Sequence, residues 1–234
     1  MLQTVPPTLN SETILPPVPH LPGVEDRLTI VGQTGSGKTH GALWQLSKQP
    51  IDRMPYVILN FKNEKLIDSI ARARHIGYDL PTKPGIYVIH PHIEDEKPLN
   101  DFLWKLWERG NCGLYIDEGY MVEFIGAVKP LIAILTQGRT KHIPVITLVQ
   151  RPVGVTRFIF SEAQYIQVFD LMDSRDYEVV ENYMPYDLQG MPQLPKYNSW
   201  YFENGTKHLF QFKPVPPIEE IFAVINSKLY SRKI

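Results

Sequence analysis

Residues 28–39 read Leu-Thr-Ile-Val-Gly-Gln-Thr-Gly-Ser-Gly-Lys-Thr, and no other stretch limits the fold as tightly. A short β-prone run enters a glycine-rich turn and leaves as a helix, which is the G-x-x-x-x-G-K-[ST] pattern of a phosphate loop. Gly32, Gly35 and Gly37 let the backbone bend so that consecutive N–H groups point inward, and the following helix adds the positive end of its dipole. An anion belongs in such a turn. Lys38 is expected to reach the β- and γ-phosphates of a nucleotide, and the Thr39 hydroxyl to bind Mg²⁺. The expected nucleotide-binding set is therefore Gly32, Gln33, Thr34, Gly35, Ser36, Gly37, Lys38, Thr39 and His40. A chance match occurs on the order of once per hundred chains of this size, so nucleotide binding is the first conclusion and the reaction has to be read elsewhere.

A chain of 234 residues with 43% hydrophobic residues can build one large α/β domain or two small ones. Its single cysteine, Cys112, excludes an internal disulfide and fits a reducing compartment. No apolar run approaches the ~18 residues of a membrane span, and the N-terminus lacks a signal-peptide pattern, so direct membrane insertion is not expected. The net charge of −1 is not that of a nucleic-acid coat. Any contact with nucleic acid has to be local.

Residues 1–24 carry Pro6, Pro7, Pro16, Pro17, Pro19 and Pro22, which discourage helix and sheet. This stretch reads as a separate N-terminal arm: either a solvated tail or, because Val5, Ile14, Leu15, Val18 and Leu21 offer apolar side chains, an arm laid on a neighbouring subunit. Residues 25–234 read as one domain, with a core over about 27–185 and a C-terminal hairpin and helix over about 197–234. Within it, helices are expected at 38–48, 61–74, 99–109, 127–138, 174–183 and 218–230, and strands at 56–60, 85–90, 112–118, 143–149 and 165–169. That alternation argues for a mostly parallel sheet flanked by helices. The runs 200–203 and 208–212 flank Asn204-Gly205, which suits a type I′ hairpin and adds antiparallel strands at a sheet edge. In the last helix, Ile221, Phe222, Val224, Ile225 and Leu229 are expected to face inward, while Lys228, Arg232 and Lys233 suit its C-terminal dipole.

Residues 112–118, Cys-Gly-Leu-Tyr-Ile-Asp-Glu, are an apolar strand ending in two acids, the Walker B arrangement. It brings both carboxylates to the sheet edge beside the phosphate loop. Asp117 is expected to hold Mg²⁺ with Thr39, and Glu118 to orient and deprotonate the water that attacks the γ-phosphate. Gln150, at the tip of the strand over 143–149, is a candidate sensor of the γ-phosphate and that water. Two other groupings are set aside. His90-Pro91-His92 with Glu94 and Asp95 reads as a solvated loop, and Trp104 and Trp107 read as helix packing.

Taken together, the phosphate loop, Asn60-Phe61-Lys62, Ile116-Asp117-Glu118, Gln137-Gly138-Arg139 and Thr147-Leu148-Val149-Gln150-Arg151-Pro152 resemble the FtsK–HerA superfamily of DNA-pumping ATPases over roughly residues 27–185. Within it, the short chain looks most like the genome-packaging ATPases of tailless viruses with an internal membrane. That resemblance implies a RecA-like P-loop core of the ASCE type and hydrolysis of ATP with Mg²⁺. It also implies translocation of double-stranded DNA, docking on capsid or vertex proteins, and residence in the host cytoplasm or on the virion. It further implies a homo-oligomeric ring, commonly of six, in which a neighbour supplies an arginine to the γ-phosphate. Arg139 matches that position, with Arg151 and Arg157 as fallbacks. Where many members carry Asp-Pro-Lys after the second strand, this chain has Asn60-Phe61-Lys62, which leaves the role of that loop open.

The same motifs fit an ATPase of filament extrusion or plasmid DNA transfer, although those usually carry membrane segments or further domains. A small nucleotide kinase would need an arginine-rich lid, and a GTP switch would need an Asn-Lys-x-Asp run that is missing. A nucleotide-held scaffold would be indifferent to loss of Glu118.

Overall fold

β-Branched and aromatic runs form strands here because a parallel sheet covered on both faces buries every side chain they carry. The computed structural model describes residues 17–230. Its strands are β1 (Arg27–Val31), β2 (Pro55–Leu59), β3 (Arg74–His75), β4 (Gly85–Ile89), β5 (Gly113–Ile116), β6 (Val145–Val149), β7 (Tyr165–Val168), β8 (Ser199–Glu203) and β9 (His208–Phe212). The helices are α1 (Lys38–Lys48), α2 (Lys65–Asp68), α3 (Glu96–Arg109), α4 (Gly119–Phe124), α5 (Val128–Gln137), α6 (Phe158–Ser161), α7 (Ser174–Glu181) and α8 (Ile218–Tyr230). The strands form one sheet in the order β3-β4-β2-β5-β6-β1-β7-β8-β9. All pairings from β3 to β7 are parallel, and β8 and β9 add antiparallel to β7. This is the expected mixed α/β architecture with its antiparallel C-terminal strands.

Every residue of β1, β2, β5 and β6 is buried. Alternate side chains enter two cores. Val31, Val57, Leu59, Leu114 and Ile116 pack with Leu99, Phe102, Leu103 and Leu106 of α3 and Leu131 and Ile134 of α5. Leu28, Ile30, Tyr56, Ile58 and Tyr115 pack with Ala42, Leu43 and Leu46 of α1 and Ile221 and Ile225 of α8. Pro130 is tolerated in α5 because it falls in the first turn, where its missing N–H costs nothing. Cys112 is a buried free thiol. No helix among the described residues is long and apolar enough to cross a membrane.

Several local expectations are corrected. The helix expected over 61–74 is one turn, α2. The Asn60 side chain accepts from the Glu64 N–H at 2.8 Å and ties that turn back to the end of β2. The chain then joins the sheet edge as β3, whose ladder with β4 continues through the Ile76 N–H to Val88 C=O bond. The hairpin turn is not a two-residue type I′: Glu203 pairs with His208, leaving a four-residue loop in which Lys207 takes φ 58°. Asn204 is occupied elsewhere, its N–H donating to Gln164 C=O and its side chain to Ala163 C=O. In α8, Val224 is 39% exposed rather than facing inward, and Lys228 donates to Gln49 C=O at 2.9 Å. Arg232 and Lys233 lie outside the described residues, as does the arm before residue 17. The part of the arm that is described lies on its own chain. His20 C=O accepts from Tyr201 Oη, and Pro22 C=O accepts from Gln49 Nε2. Trp107 is half-buried under Lys141, whereas Trp104 stays 36% exposed at its edge.

Candidate nucleotide site

β6 lies between β1 and β5, pairing Val31 with Val149 and Ile116 with Thr147. The residues that leave these three strands, Gly32, Asp117 and Gln150, therefore emerge side by side at the carboxyl edge of the sheet, where parallel sheets place their ligands. Gly37 takes φ 101°, a left-handed conformation that starts α1. A Cβ on Gly32 would stand 2.5 Å from Ser36 Oγ, so the loop closes on itself only with glycine there. The loop is pinned from both sides, by Gly32 N–H to Val149 C=O at 3.2 Å and Gln33 N–H to Asp170 C=O at 2.9 Å. The Gln33 side chain also donates to Asp170 Oδ2.

Lys38 is 8% exposed and its ammonium donates to Gln33 C=O at 3.3 Å, so it folds over the loop it belongs to. Burial, then the neighbouring Lys62, pulls its pKa below the ordinary lysine value, while Glu118 and Asp117 act in the opposite sense. Thr39 and His40 are half-buried in the first turn of α1.

Glu118 is held by a polar chain that the linear sequence does not reveal. Lys62 Nζ donates to Glu118 Oε2 at 2.5 Å and to Gln150 Oε1 at 2.9 Å. Gln150 Nε2 in turn donates to Thr34 Oγ1 at 2.7 Å, and Gln150 N–H to Glu118 Oε1 at 3.4 Å. Sensor, acid and phosphate loop are thus one connected network closed by Lys62. Lys62 stands three residues past the end of β2, the strand that pairs with β5, and a cation just beyond a strand neighbouring Walker B is the signal that marks it.

Asp117 is 4% exposed, and its Oδ2 has no hydrogen-bond partner. Burial raises its pKa to about 6, with Lys62 the strongest opposing influence. A buried carboxylate oxygen without a donor, beside a loop that offers a threonine hydroxyl, is an oxygen donor set that suits a hard divalent cation. Thr39 and Asp117 therefore fit Mg²⁺. The raised pKa also carries a stability prediction. Below about pH 4 both folded and unfolded chains hold this proton; between about 4 and 6 only the folded chain keeps it, so the fold loses stability as pH rises and the full loss is present above about 6. Asp117→Asn removes this penalty. In urea unfolding, the excess stability of the variant should grow by about 3 kcal/mol between roughly pH 3.5 and 7.5, and a pH-independent difference would contradict the assignment.

A cleft of about 830 Å³ opens from Gln33–Ser36 along Phe169, Met172 and Tyr177 to the segment running from Leu188 to Asn198. Tyr197 sits at φ 66° with its ring 3.1 Å from where a Gly37 Cβ would be. This segment is absent from the sequence-derived site because it has neither motif nor periodicity.

Arg139 lies at the opposite, amino edge of the sheet. It occupies a 3₁₀ turn (Arg139–Lys141) that precedes β6, its Nε 3.7 Å from Glu25 and its side chain 68% exposed. Arg151 is tied down within its own chain, to Asp176 at 3.0 Å and Asp173 at 3.5 Å. Arg157 packs on the Phe158 ring.

No family model matches the chain. It is 38% identical over 213 residues to the DNA packaging ATPase P9 of enterobacteria phage PRD1, covering 87% of this chain and 93% of that one. Among solved structures it is similar to the genome packaging NTPase B204 of Sulfolobus turreted icosahedral virus 2 in complex with ATP-gammaS, with TM-score 0.61 and 16% identity over 82% of this chain and 99% of that one. It is likewise similar to the conjugation coupling protein TcpA of pCW3, with TM-score 0.61 and 17% identity over 89% of this chain and 65% of that one.

Proposed function

The chain belongs to the DNA-packaging ATPases of the FtsK–HerA superfamily, and on that premise we propose how its residues divide the work of ATP-driven packaging of double-stranded DNA. The loop amides and Lys38 bind the triphosphate, and the nucleoside extends into the cleft bounded by Tyr197. Thr39 and Asp117 hold Mg²⁺, which when bound neutralises phosphate charge. Glu118 orients the attacking water and takes its proton, and Gln150 relays between that water and the phosphate loop. Lys62 holds the Glu118 carboxylate in place through their ion pair. Arg139 reaches the nucleotide of a neighbour in a homo-oligomeric ring, six subunits being the favoured number, docked on capsid or vertex proteins in the host cell or on the virion.

The observation that carries this reading is the network joining Thr34, Gln150, Lys62 and Glu118, because it ties a water-activating acid to the phosphate loop. Packaging is favoured over plasmid transfer because the PRD1 relative is matched over nearly its whole length, whereas TcpA is matched over 65% of its own. The test is ATP turnover with and without duplex DNA. Several-fold stimulation that weakens with added salt is expected, since phosphate contacts release counterions. Absence of stimulation across a range of salt and protein concentrations would overturn the translocation step and leave the hydrolase intact.

A further inference from the structure

The geometry points to a second metal site, for a late first-row divalent ion such as Zn²⁺, formed by Asp68, His75 and His90. These residues come from three segments: the end of α2, the edge strand β3 and the residue after β4. Asp68 Oδ1, His75 Nδ1 and His90 Nε2 all lie within 4.8 Å of one another. His75 Nδ1 is 3.1 Å from His90 Nε2, and His90 Nε2 is 3.3 Å from Asp68 Oδ1. A tetrahedral zinc bound at ~2.0–2.1 Å sets its ligand atoms roughly 3.3 Å apart, so the two spacings about His90 match that of a coordination shell and the third is within reach of it. Two imidazoles and one carboxylate are the donor types that select zinc and its neighbours over Mg²⁺.

The surrounding groups orient these ligands as outer-shell partners do. The Asn63 side-chain oxygen lies 2.8 Å from His90 Nδ1. An amide oxygen only accepts, so Nδ1 carries the proton and the Nε2 lone pair is directed at Asp68 and His75. Asn60, fully buried, donates to Asp68 Oδ1 at 3.0 Å and fixes that carboxylate. The His75 and His90 rings are within 6° of parallel with centroids 5.3 Å apart, and their facing nitrogens are 3.1 Å apart. A bound ion replaces that contact, with a turn of each ring to aim both lone pairs at it. The backbone beneath is firm, since β3 is registered on β4 through Arg74 with Tyr87 and His75 with Val88. This site is separate from the Thr39–Asp117 pair and stands whether or not the DNA reading does.

The test uses the whole chain without nucleotide and with excess Mg²⁺. Zn²⁺ titrated by calorimetry should bind one per chain, and Co²⁺ should give the visible absorption of a low-coordinate ion. His75→Ala, an exposed edge-strand change that leaves the core untouched, and His90→Ala should each weaken uptake by at least roughly tenfold, and Asn63→Ala by about tenfold. Thermal unfolding without added metal should match the parent for each variant. Sub-stoichiometric uptake, unchanged affinity in both histidine variants, or uptake lost only in Asp117→Asn would overturn the site. ATP turnover in the same preparations reports separately on the hydrolase.

Discussion

Glu118→Gln is expected to bind ATP within about threefold of the parent and to lose turnover by roughly 10²–10⁴, the usual worth of a positioned general base. The substitution is close to isosteric at a side chain only 6% exposed. A glutamine oxygen in the place of Oε2 still accepts from Lys62 Nζ, and only the longer 3.4 Å contact from the Gln150 N–H is given up to the amide nitrogen, so the main bond of the network survives. What disappears is the negative charge and the lone pair able to take a proton from water. Binding is spared because the loop amides and Lys38 are anchored through Gln33, Asp170 and Val149, none of which touches Glu118. Equilibrium binding of a fluorescent ATP analogue and steady-state phosphate release separate the two effects. Residual turnover above about a tenth of the parent would mean that another group activates the water, and a parallel loss of binding would mean that Glu118 holds the loop together.

Much of the fold was legible because its signals are local. A continuous apolar run of four or five residues has few alternatives to a buried parallel strand; β2, β4 and β5 carry that pattern outright, and β1 and β6 carry it with one β-branched threonine, Thr29 or Thr147, inside the run. Helix α1 ends where Pro50 approaches, and α5 accepts Pro130 in its first turn. The failures are tertiary. Nothing in residues 61–74 announces that Asn60 will grip the backbone four residues on, or that Arg74 and His75 will find an edge beside β4. Asn204-Gly205 has the composition of a tight turn, but Ala163 and Gln164, just before β7, claim the asparagine and a longer loop results.

The site divides along the same line. The phosphate loop and Walker B acids are readable because their chemistry demands fixed residues at fixed spacing next to strand ends. Lys62 was visible only as the last residue of Asn60-Phe61-Lys62, a loop whose role the family pattern left open; its bond to Glu118 spans 56 positions and exists because β2 pairs with β5. The Leu188–Asn198 wall of the cleft is irregular backbone held against the loop by packing, so no period or motif marks it. His90 was read with His92, Glu94 and Asp95 as part of a solvated loop; folding turns His92 and Asp95 toward each other and brings His90 to His75 and Asp68, residues 15 and 22 positions away that no local pattern connects to it.

Arg139→Ala is expected to fold, to bind ATP and to lose turnover by roughly 10³–10⁵, the measure of an arginine at the developing charge of phosphoryl transfer. Arg139 stands before β6 and Gln150 after it, so at ~3.3 Å per residue the length of the strand separates Arg139 from its own phosphate loop by roughly 15–20 Å. That distance is too long for it to serve the nucleotide of its own chain, so under the proposed ring the nucleotide it serves is a neighbour's. Its contact with Glu25 is long and largely exposed, worth at most about 1 kcal/mol, so the guanidinium is available to a partner. Arg151 is not, because Asp173 and the buried Asp176 hold it. Mixing supplies the decisive measurement. Arg139→Ala and Lys38→Ala chains are each inactive alone, but in a ring assembled from equal parts about a quarter of the interfaces join an intact Lys38 to a neighbour's intact Arg139. Turnover that reappears on mixing, rises with the time allowed for subunit exchange and is not recovered when Arg139→Ala is mixed with itself assigns the arginine to the neighbouring site. If mixing restores nothing while each variant still assembles, Arg139 acts within its own fold and the missing cation has to come from Arg157 or elsewhere.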